Sequence, residues 1–183
     1  MKAMVLRGVY DLASGQEPLE MVDWPVPEPL EGEVLLKVSR CGVCHTELDE
    51  IEGRTPPRRF PMIPGHQVVG YVVKRGRHAS LYDEGERLGV AWIYSACGRC
   101  KQCMNSNENL CEKFEATGRD EHGGYAEYMV VPEEFAFPIP GIFNDSEAAP
   151  LLCAGAIGYR SIRLTNLQDG QILGLTGFGA SGH

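Results

Sequence analysis

The 183-residue chain carries a formal net charge of −8 and an ordinary share of apolar residues, so it can bury the core of one domain, or of one domain and part of another. This acidic balance argues against a nucleic-acid partner, because phosphate binding needs a basic face. No apolar run approaches the roughly 20 residues that span a bilayer, and the first residues lack a signal-peptide core, so we expect no membrane association and a cytoplasmic location.

Short apolar or alternating runs predict β structure through the first part of the chain. The predicted strands span residues 3–7, 33–39, 67–74, 87–93 and 123–131. Prolines between them favour extended crossings and loops rather than helices. Residues 1–144 are therefore predicted to form a mostly β domain with short helices, built as a partly open β-barrel.

A short helix is predicted to begin near Cys44 or His45, since acidic residues in its first turns suit a helix N-terminus. After residue 144 the sequence pattern changes from one typical of strands to one typical of helices. Asp145 or Ser146 can cap a second helix, and residues 156–164 predict a third.

The chain ends in a glycine-rich run. Residues 171–176 predict a strand, and Gly177, Gly179 and Gly182 directly after it fit the G-x-G-x-x-G pattern that opens a dinucleotide-binding α/β unit. Residues 145–183 are predicted to be connecting helices plus the first strand and glycine loop of such a unit, truncated. The cofactor helix is not included in the sequence, so we expect this chain to bind NAD(P) poorly or not at all.

Four cysteines lie close together with the spacing C-x2-C-x2-C-x7-C. They are Cys97, Cys100, Cys103 and Cys111, in a lobe of about residues 95–112. Four thiolates with short spacers are typical of a structural zinc site, which leaves no position for substrate. An iron–sulfur cluster, a set of reduced loop cysteines, or two disulfides are the alternatives. The odd total of seven cysteines favours a reducing compartment.

Three other candidate ligands, Cys44, His66 and Cys153, are spread along the chain. Taken singly, each has an ordinary structural explanation: a lone buried cysteine usually packs in a core. Taken together, two cysteines and a histidine form one of the ligand sets of catalytic zinc, which keeps its fourth position for water or substrate.

Several motifs in order carry a family resemblance. They are CGVCHTE (41–47), PGHQVVG (64–70), GERLGV (85–90), the cysteine lobe, GGYAEY (123–128), APLLCAG (149–155) and the terminal glycine run. Together they resemble the zinc-dependent medium-chain alcohol dehydrogenases over essentially the whole chain. The resemblance implies a GroES-like catalytic domain followed by a Rossmann domain, of which only the beginning is present here.

The resemblance also implies roles for individual residues. Cys44, His66 and Cys153 would bind a catalytic zinc, and the four lobe cysteines a structural zinc, giving two zinc ions per chain. Thr46 would hydrogen-bond the substrate oxygen and start a proton relay, while Glu47 would orient the zinc-bound histidine. His45 and the three glycines would approach an NAD or NADP cofactor, and Trp92 would line the substrate pocket.

Three positions depart from the family pattern. Gln67 replaces the usual glutamate beside the ligand histidine, and Asp49 stands where many relatives carry the last histidine of the relay. Glu47 is one methylene longer than the usual aspartate. Cys41 has no ligand role and is interpreted as packing.

Three functional hypotheses follow from the residues and the resemblance. The first is an NAD(P)-linked alcohol dehydrogenase acting on a small alcohol, aldehyde or ketone, a homodimer or homotetramer when complete and inactive as this isolated chain. The second is a zinc-binding structural module without activity. The third is a quinone-reductase-like relative without catalytic zinc, which predicts one zinc ion rather than two.

Overall fold

The computed structural model describes residues 1–182. Its strands are β1 (Lys2–Leu6), β2 (Leu19–Asp23), β3 (Glu33–Cys41), β4 (Val68–Arg75), β5 (Arg87–Val90), β6 (Ile93–Ser95), β7 (Glu115–Ala116), β8 (Tyr128–Pro132) and β9 (Ala136–Pro138). Its α-helices are α1 (His45–Ile51), α2 (Asp145–Pro150) and α3 (Ala156–Thr165). Short 3-10 turns span Leu12–Ser14, Cys103–Asn105, Glu108–Leu110 and Glu133–Phe135, and Leu151–Gly155 forms a π-helical turn.

A curled five-stranded antiparallel sheet in the order β8-β3-β4-β5-β9 forms the centre of the fold. The long strand β3 pairs with β4 on one side and with β8 on the other. Leu36, Val68, Leu88 and Met129 fill its concave face as one buried cluster, so burial of this apolar face holds the sheet closed. The prediction of a mostly β, partly open barrel with short helices is confirmed.

The predicted strand 87–93 is divided in two. β5 belongs to the five-stranded sheet, whereas β6 pairs with β7 in a separate two-stranded sheet. Between them the backbone carbonyl of Trp92 accepts a hydrogen bond from the amide of Thr117 at 2.9 Å. The break therefore turns Trp92 away from the main sheet, toward the region that contains His66.

Helix α2 begins as predicted, but its cap is different. Neither Asp145 nor Ser146 caps it; the side-chain oxygen of Asn144 accepts hydrogen bonds at 3.0 Å from the amides of Ser146 and Glu147. Asp145 is engaged elsewhere, because it accepts hydrogen bonds from the Ser39 hydroxyl at 2.5 Å and from Arg87 at 3.1 Å. The acidic residue thus ties the helix to β3 and β5 rather than capping it.

The helix predicted over 156–164 is present as α3, but the strand predicted over residues 171–176 is wrong. These residues are coil, and Ile172 is 95% exposed. A strand needs a neighbour for its backbone hydrogen bonds, and within residues 1–182 no strand pairs with this segment. The proposed boundary after residue 144 stays a prediction, and His183 at the end of the second predicted unit lies outside the described residues.

Among the described residues, no helix has the length and apolar character needed to cross a membrane.

Candidate metal centres

The fold brings Cys44, His66 and Cys153 together from three separate elements. Cys44 is the N-cap of α1, His66 lies two residues before the start of β4, and Cys153 lies in the π-helical turn after α2. Their donor atoms lie within 4.8 Å of one another, and the two sulfur atoms are 3.9 Å apart. Two thiolates on one tetrahedral zinc at ~2.3 Å each would lie roughly 3.8 Å apart, so this spacing suits a shared ion.

Glu47, three residues after Cys44 on helix α1, orients the histidine. Nδ1 of His66 lies 2.6 Å from Oε1 of Glu47, and both side chains are buried. The other oxygen of Glu47 accepts a hydrogen bond from the Cys44 amide at 2.7 Å. Nε2 of His66 has no hydrogen-bond partner among the described residues, which leaves a buried nitrogen free to bind a metal ion.

The surroundings of Cys153 disfavour an isolated thiolate. Burial, and next the charge of Cys44, raise the pKa of Cys153 to about 12. A divalent ion between the two sulfurs would reverse this effect, because metal binding favours the deprotonated thiolates. The donor set of two sulfurs and one nitrogen fits Zn²⁺.

A cavity of about 770 Å³ opens beside the three ligands. Its wall includes Thr46, His66, Trp92 and Cys153. The Thr46 hydroxyl is 3.5 Å from the sulfur of Cys44, and the His66 and Trp92 rings meet edge to face with centroids 5.1 Å apart. The cavity therefore gives a small molecule access to Thr46, His66 and Cys153, next to the point where the three donor atoms meet.

The residues expected to approach the cofactor lie away from this cavity. His45 is 73% exposed, and its Nε2 is 3.7 Å from Asp49, which also accepts a hydrogen bond from Arg54. Gly177 and Gly179 are exposed, with Gly177 in the left-handed region at φ 81°. Among the described residues, neither His45 nor any of the three glycines, Gly177, Gly179 and Gly182, lines the cavity.

The cysteine lobe forms a second potential metal centre. Donor atoms of Cys97, Cys100, Cys103 and Cys111 all lie within 4.8 Å of one another. All four are free thiols, so the alternative of two disulfides is wrong for this structure. Hydrogen bonds from the backbone amides of Arg99 and Cys100 lower the pKa of Cys97 to about 6. Four converging sulfurs with no fifth group suit a closed structural site.

Two residues near the first centre were missed by the sequence reasoning. Glu50 is completely buried and neither carboxylate oxygen has a partner among the described residues. Arg119 lies over the ring of Trp92. The position of Glu50, one turn after Glu47 on α1, was a signal that it shares the same helix face. No sequence pattern indicated that Arg119 would lie near this centre, because only the tertiary fold brings it onto the Trp92 ring.

Sequence comparison gives two results. Residues 30–141 match the family described as the alcohol dehydrogenase GroES-like domain. A probable alcohol dehydrogenase AdhA of Mycobacterium tuberculosis is 48% identical over 171 residues, covering 91% of this chain and 49% of the relative. The chain spans about half the length of the curated relatives it matches.

Solved structures give the same picture. A cinnamyl alcohol dehydrogenase of Sorghum bicolor superposes with a TM-score of 0.87 at 30% identity, covering 99% of this chain and 52% of that one. A thermostable alcohol dehydrogenase of Pyrobaculum aerophilum, solved with cobalt and zinc bound, has a TM-score of 0.83 at 27% identity, covering 93% of this chain and 50% of that one.

Proposed function

Because this chain belongs to the alcohol dehydrogenase family through its GroES-like domain, we propose that it carries the metal site and substrate pocket of a zinc-dependent oxidoreductase. The proposed reaction interconverts an alcohol with an aldehyde or ketone and exchanges a hydride with NAD or NADP. One observation carries the proposal: Cys44, His66 and Cys153 converge beside a cavity that can hold a small molecule, and His66 and Cys153 form part of its wall.

The three ligands would hold one Zn²⁺ and leave a coordination position for the substrate oxygen. Bound there, the ion supplies Lewis-acid chemistry: it lowers the pKa of an alcohol and polarises a carbonyl. Two thiolates and a neutral imidazole would balance its charge. Glu47 contributes by fixing the orientation of the imidazole from the opposite side.

Thr46 is the group best placed to handle the alcohol proton. Its hydroxyl lies in the cavity wall and close to Cys44, so a substrate hydroxyl bound beside the three ligands can pass its proton to the Thr46 oxygen as Thr46 releases its own hydroxyl proton. The onward path through Asp49 is less suited, because that carboxylate is already bonded by Arg54 at the surface. We infer that the proton leaves Thr46 toward cofactor or solvent groups.

The walls of the cavity favour a substrate with an apolar body. Trp92, Phe135, Leu152 and Ile157 are among the side chains that line it. Apolar walls exclude water from the ligand end of the cavity and strengthen electrostatic interactions there. A small alcohol or aldehyde with an aliphatic or aromatic group is the substrate class that we propose.

The hydride acceptor would be a nicotinamide cofactor. The pattern formed by Gly177, Gly179 and Gly182 supports this part of the proposal, since it is the pattern of a dinucleotide-binding turn. The exposed apolar side chains of α3, such as Ile157, Tyr159 and Leu164, are consistent with a cofactor unit packing on this side.

A metal count with cobalt replacement tests the proposal. The purified chain is expected to bind two zinc ions, and Cys153→Ser to bind one. Cobalt in the three-ligand site should show thiolate-to-metal absorption that changes when a small alcohol is added, and Cys153→Ser should lose that change. A single zinc ion in the unaltered chain, bound by the cysteine lobe, would support the structural-module hypothesis instead.

A further inference from the structure

Arg119 lies between two aromatic rings, Trp92 beside the three-ligand site and Phe114 next to the cysteine lobe. Its guanidinium carbon is 5.4 Å from the ring centroid of Trp92 and 5.2 Å from that of Phe114. The side chain is only 18% exposed. Cation–ring attraction strengthens when the cation is shielded from water, so this position favours a fixed arrangement of the three groups.

Phe114 is connected to the lobe through its backbone, and Trp92 contacts the three-ligand site through its ring. The amide of Phe114 donates a hydrogen bond to the carbonyl of Cys111, the fourth lobe cysteine, at 3.2 Å. On the other side, the Trp92 ring contacts the ring of the ligand His66 edge to face. A continuous series of contacts therefore runs from Cys111 through Phe114, Arg119 and Trp92 to His66.

The guanidinium is also held in place. Arg119 donates two hydrogen bonds to Oδ2 of the buried Asp120, at 2.6 and 3.1 Å, and the same oxygen accepts the Ala116 amide at 2.8 Å. Arg58 binds the other oxygen of Asp120 at 2.8 Å, and its side chain is 60% exposed. Two arginines thus share one carboxylate, and only Arg119 is stacked on the rings, among the described residues.

We propose that Arg119 is a positioning residue that couples the cysteine lobe to the three-ligand site. Metal binding by the lobe fixes Phe114, Phe114 and Arg119 fix Trp92, and Trp92 limits the rotation of His66. The coupling acts in both directions, as linkage between two binding sites requires. The inference rests on the proposed function only in assigning a metal ion to Cys44, His66 and Cys153.

The first test follows Trp92 alone. Trp24→Phe leaves Trp92 as the sole tryptophan, and Cys44→Ser with Cys153→Ser restricts zinc to the lobe. One equivalent of zinc is expected to change the emission of Trp92. Arg119→Met and Phe114→Leu should abolish the change. Arg58→Met should retain it, because this substitution removes an ion pair with Asp120 and no ring contact of Arg119. An equal change in all variants would overturn the coupling.

The second test measures the three-ligand site in the chain with all seven cysteines and zinc in the lobe. A competing chelator gives the affinity for cobalt, and Arg119→Met is expected to weaken it about tenfold, the lower end of effects from residues that support a metal ligand. Phe114→Leu, which keeps the Arg119–Asp120 pair, should weaken it in the same direction, and Arg58→Met should not. Equal affinities in all variants would overturn the proposal.

The two tests separate this inference from the proposed function. If the unaltered chain binds no cobalt outside the lobe, the assignment of the three-ligand site fails, whereas the emission of Trp92 still reports the coupling. If cobalt binds and neither measurement responds to Arg119→Met, the coupling fails and the metal assignment stands.

Discussion

Nδ1 of His66 lies 2.6 Å from Oε1 of Glu47, with both side chains almost fully buried, at 1% and 3% exposure. The second oxygen of Glu47 accepts a hydrogen bond from the amide of Cys44. One carboxylate therefore fixes two of the three proposed ligands, and the glutamate side chain is long enough to make both contacts. The extra methylene relative to the usual aspartate does not prevent the contact with the histidine.

Glu47→Gln is expected to weaken metal binding at the three-ligand site. The substitution keeps the size of the side chain and removes the charge that sets the orientation of His66, and such changes typically reduce affinity by roughly 10- to 100-fold. A chelator-competition titration with cobalt measures this. Asp49→Asn is the matched control on the same helix, since Asp49 bonds Arg54 rather than a ligand. Equal affinities for the two variants would contradict the assigned role.

Glu50 is expected to make stability fall as pH rises. Burial, and next the charge of Glu47, raise its pKa from 4.5 to about 9; Asp120 and Cys44 act in the same direction, and Arg119 opposes them. At pH values between 4.5 and about 9, Glu50 keeps its proton in the folded state and has lost it in the unfolded state. The free energy of unfolding then decreases with pH, by at most about 1.4 kcal/mol per unit.

Urea unfolding at pH 6 and pH 8 measures this effect. Glu50→Gln carries no titrating proton and should show a smaller loss of unfolding free energy between the two pH values than the unaltered chain. Glu84→Gln, at an exposed position, should leave the pH dependence unchanged. A pH dependence that is the same in all three proteins would show that Glu50 is already charged in the folded state.

The cysteine lobe is expected to lose one zinc ion when a single ligand is removed. Cys103→Ser should reduce the metal content from two ions to one and lower the midpoint of thermal unfolding, because a structural zinc contributes its binding free energy to folding. Cys41→Ala removes a thiol that lies outside both groups of ligands, so it should keep both ions. Iron rather than zinc in the purified chain, with visible absorption, would instead identify an iron–sulfur centre.

The sequence predicted those features that depend on local spacing. The four lobe cysteines converge as predicted, because short spacers let one loop fold back and bring its thiols together. Cys44, His66 and Cys153 fit a catalytic zinc set by residue type, but their assignment depended on the family resemblance, since each comes from a different element and no spacing connects them. The structure places them together through the packing of α1, β4 and the turn after α2.

Other features could not be read from local patterns. An alternating or apolar run such as residues 171–176 predicts a strand, but a strand forms only where another strand accepts its hydrogen bonds. Arg119 follows the two-residue strand β7, after the lobe, and the pairing of β6 with β7 brings Trp92 and Phe114 to it. Tertiary contacts thus decide both cases: residues 171–176 have no strand to pair with among the described residues, whereas Arg119 meets the rings of Trp92 and Phe114.

Gly65→Ala is expected to disrupt the three-ligand site by displacing His66. Gly65 has φ 97°, where residues with a side chain are strained. A Cβ there would lie 2.5 Å from the Tyr125 ring and 2.9 Å from the sulfur of Cys41, so the backbone that carries the histidine must move. We expect a loss of roughly 1–3 kcal/mol in unfolding free energy from the strain alone.

Gly141→Ala is the control for this substitution, because a Cβ at Gly141 meets no atom within 4 Å and no positive φ is involved. Denaturant unfolding and cobalt titration on both variants separate the two consequences. Gly65→Ala should lose stability and cobalt binding together, while Gly141→Ala should retain both. If Gly65→Ala bound cobalt with unchanged affinity, the position of His66 would tolerate the displaced backbone, and the close packing against Tyr125 would matter for stability alone.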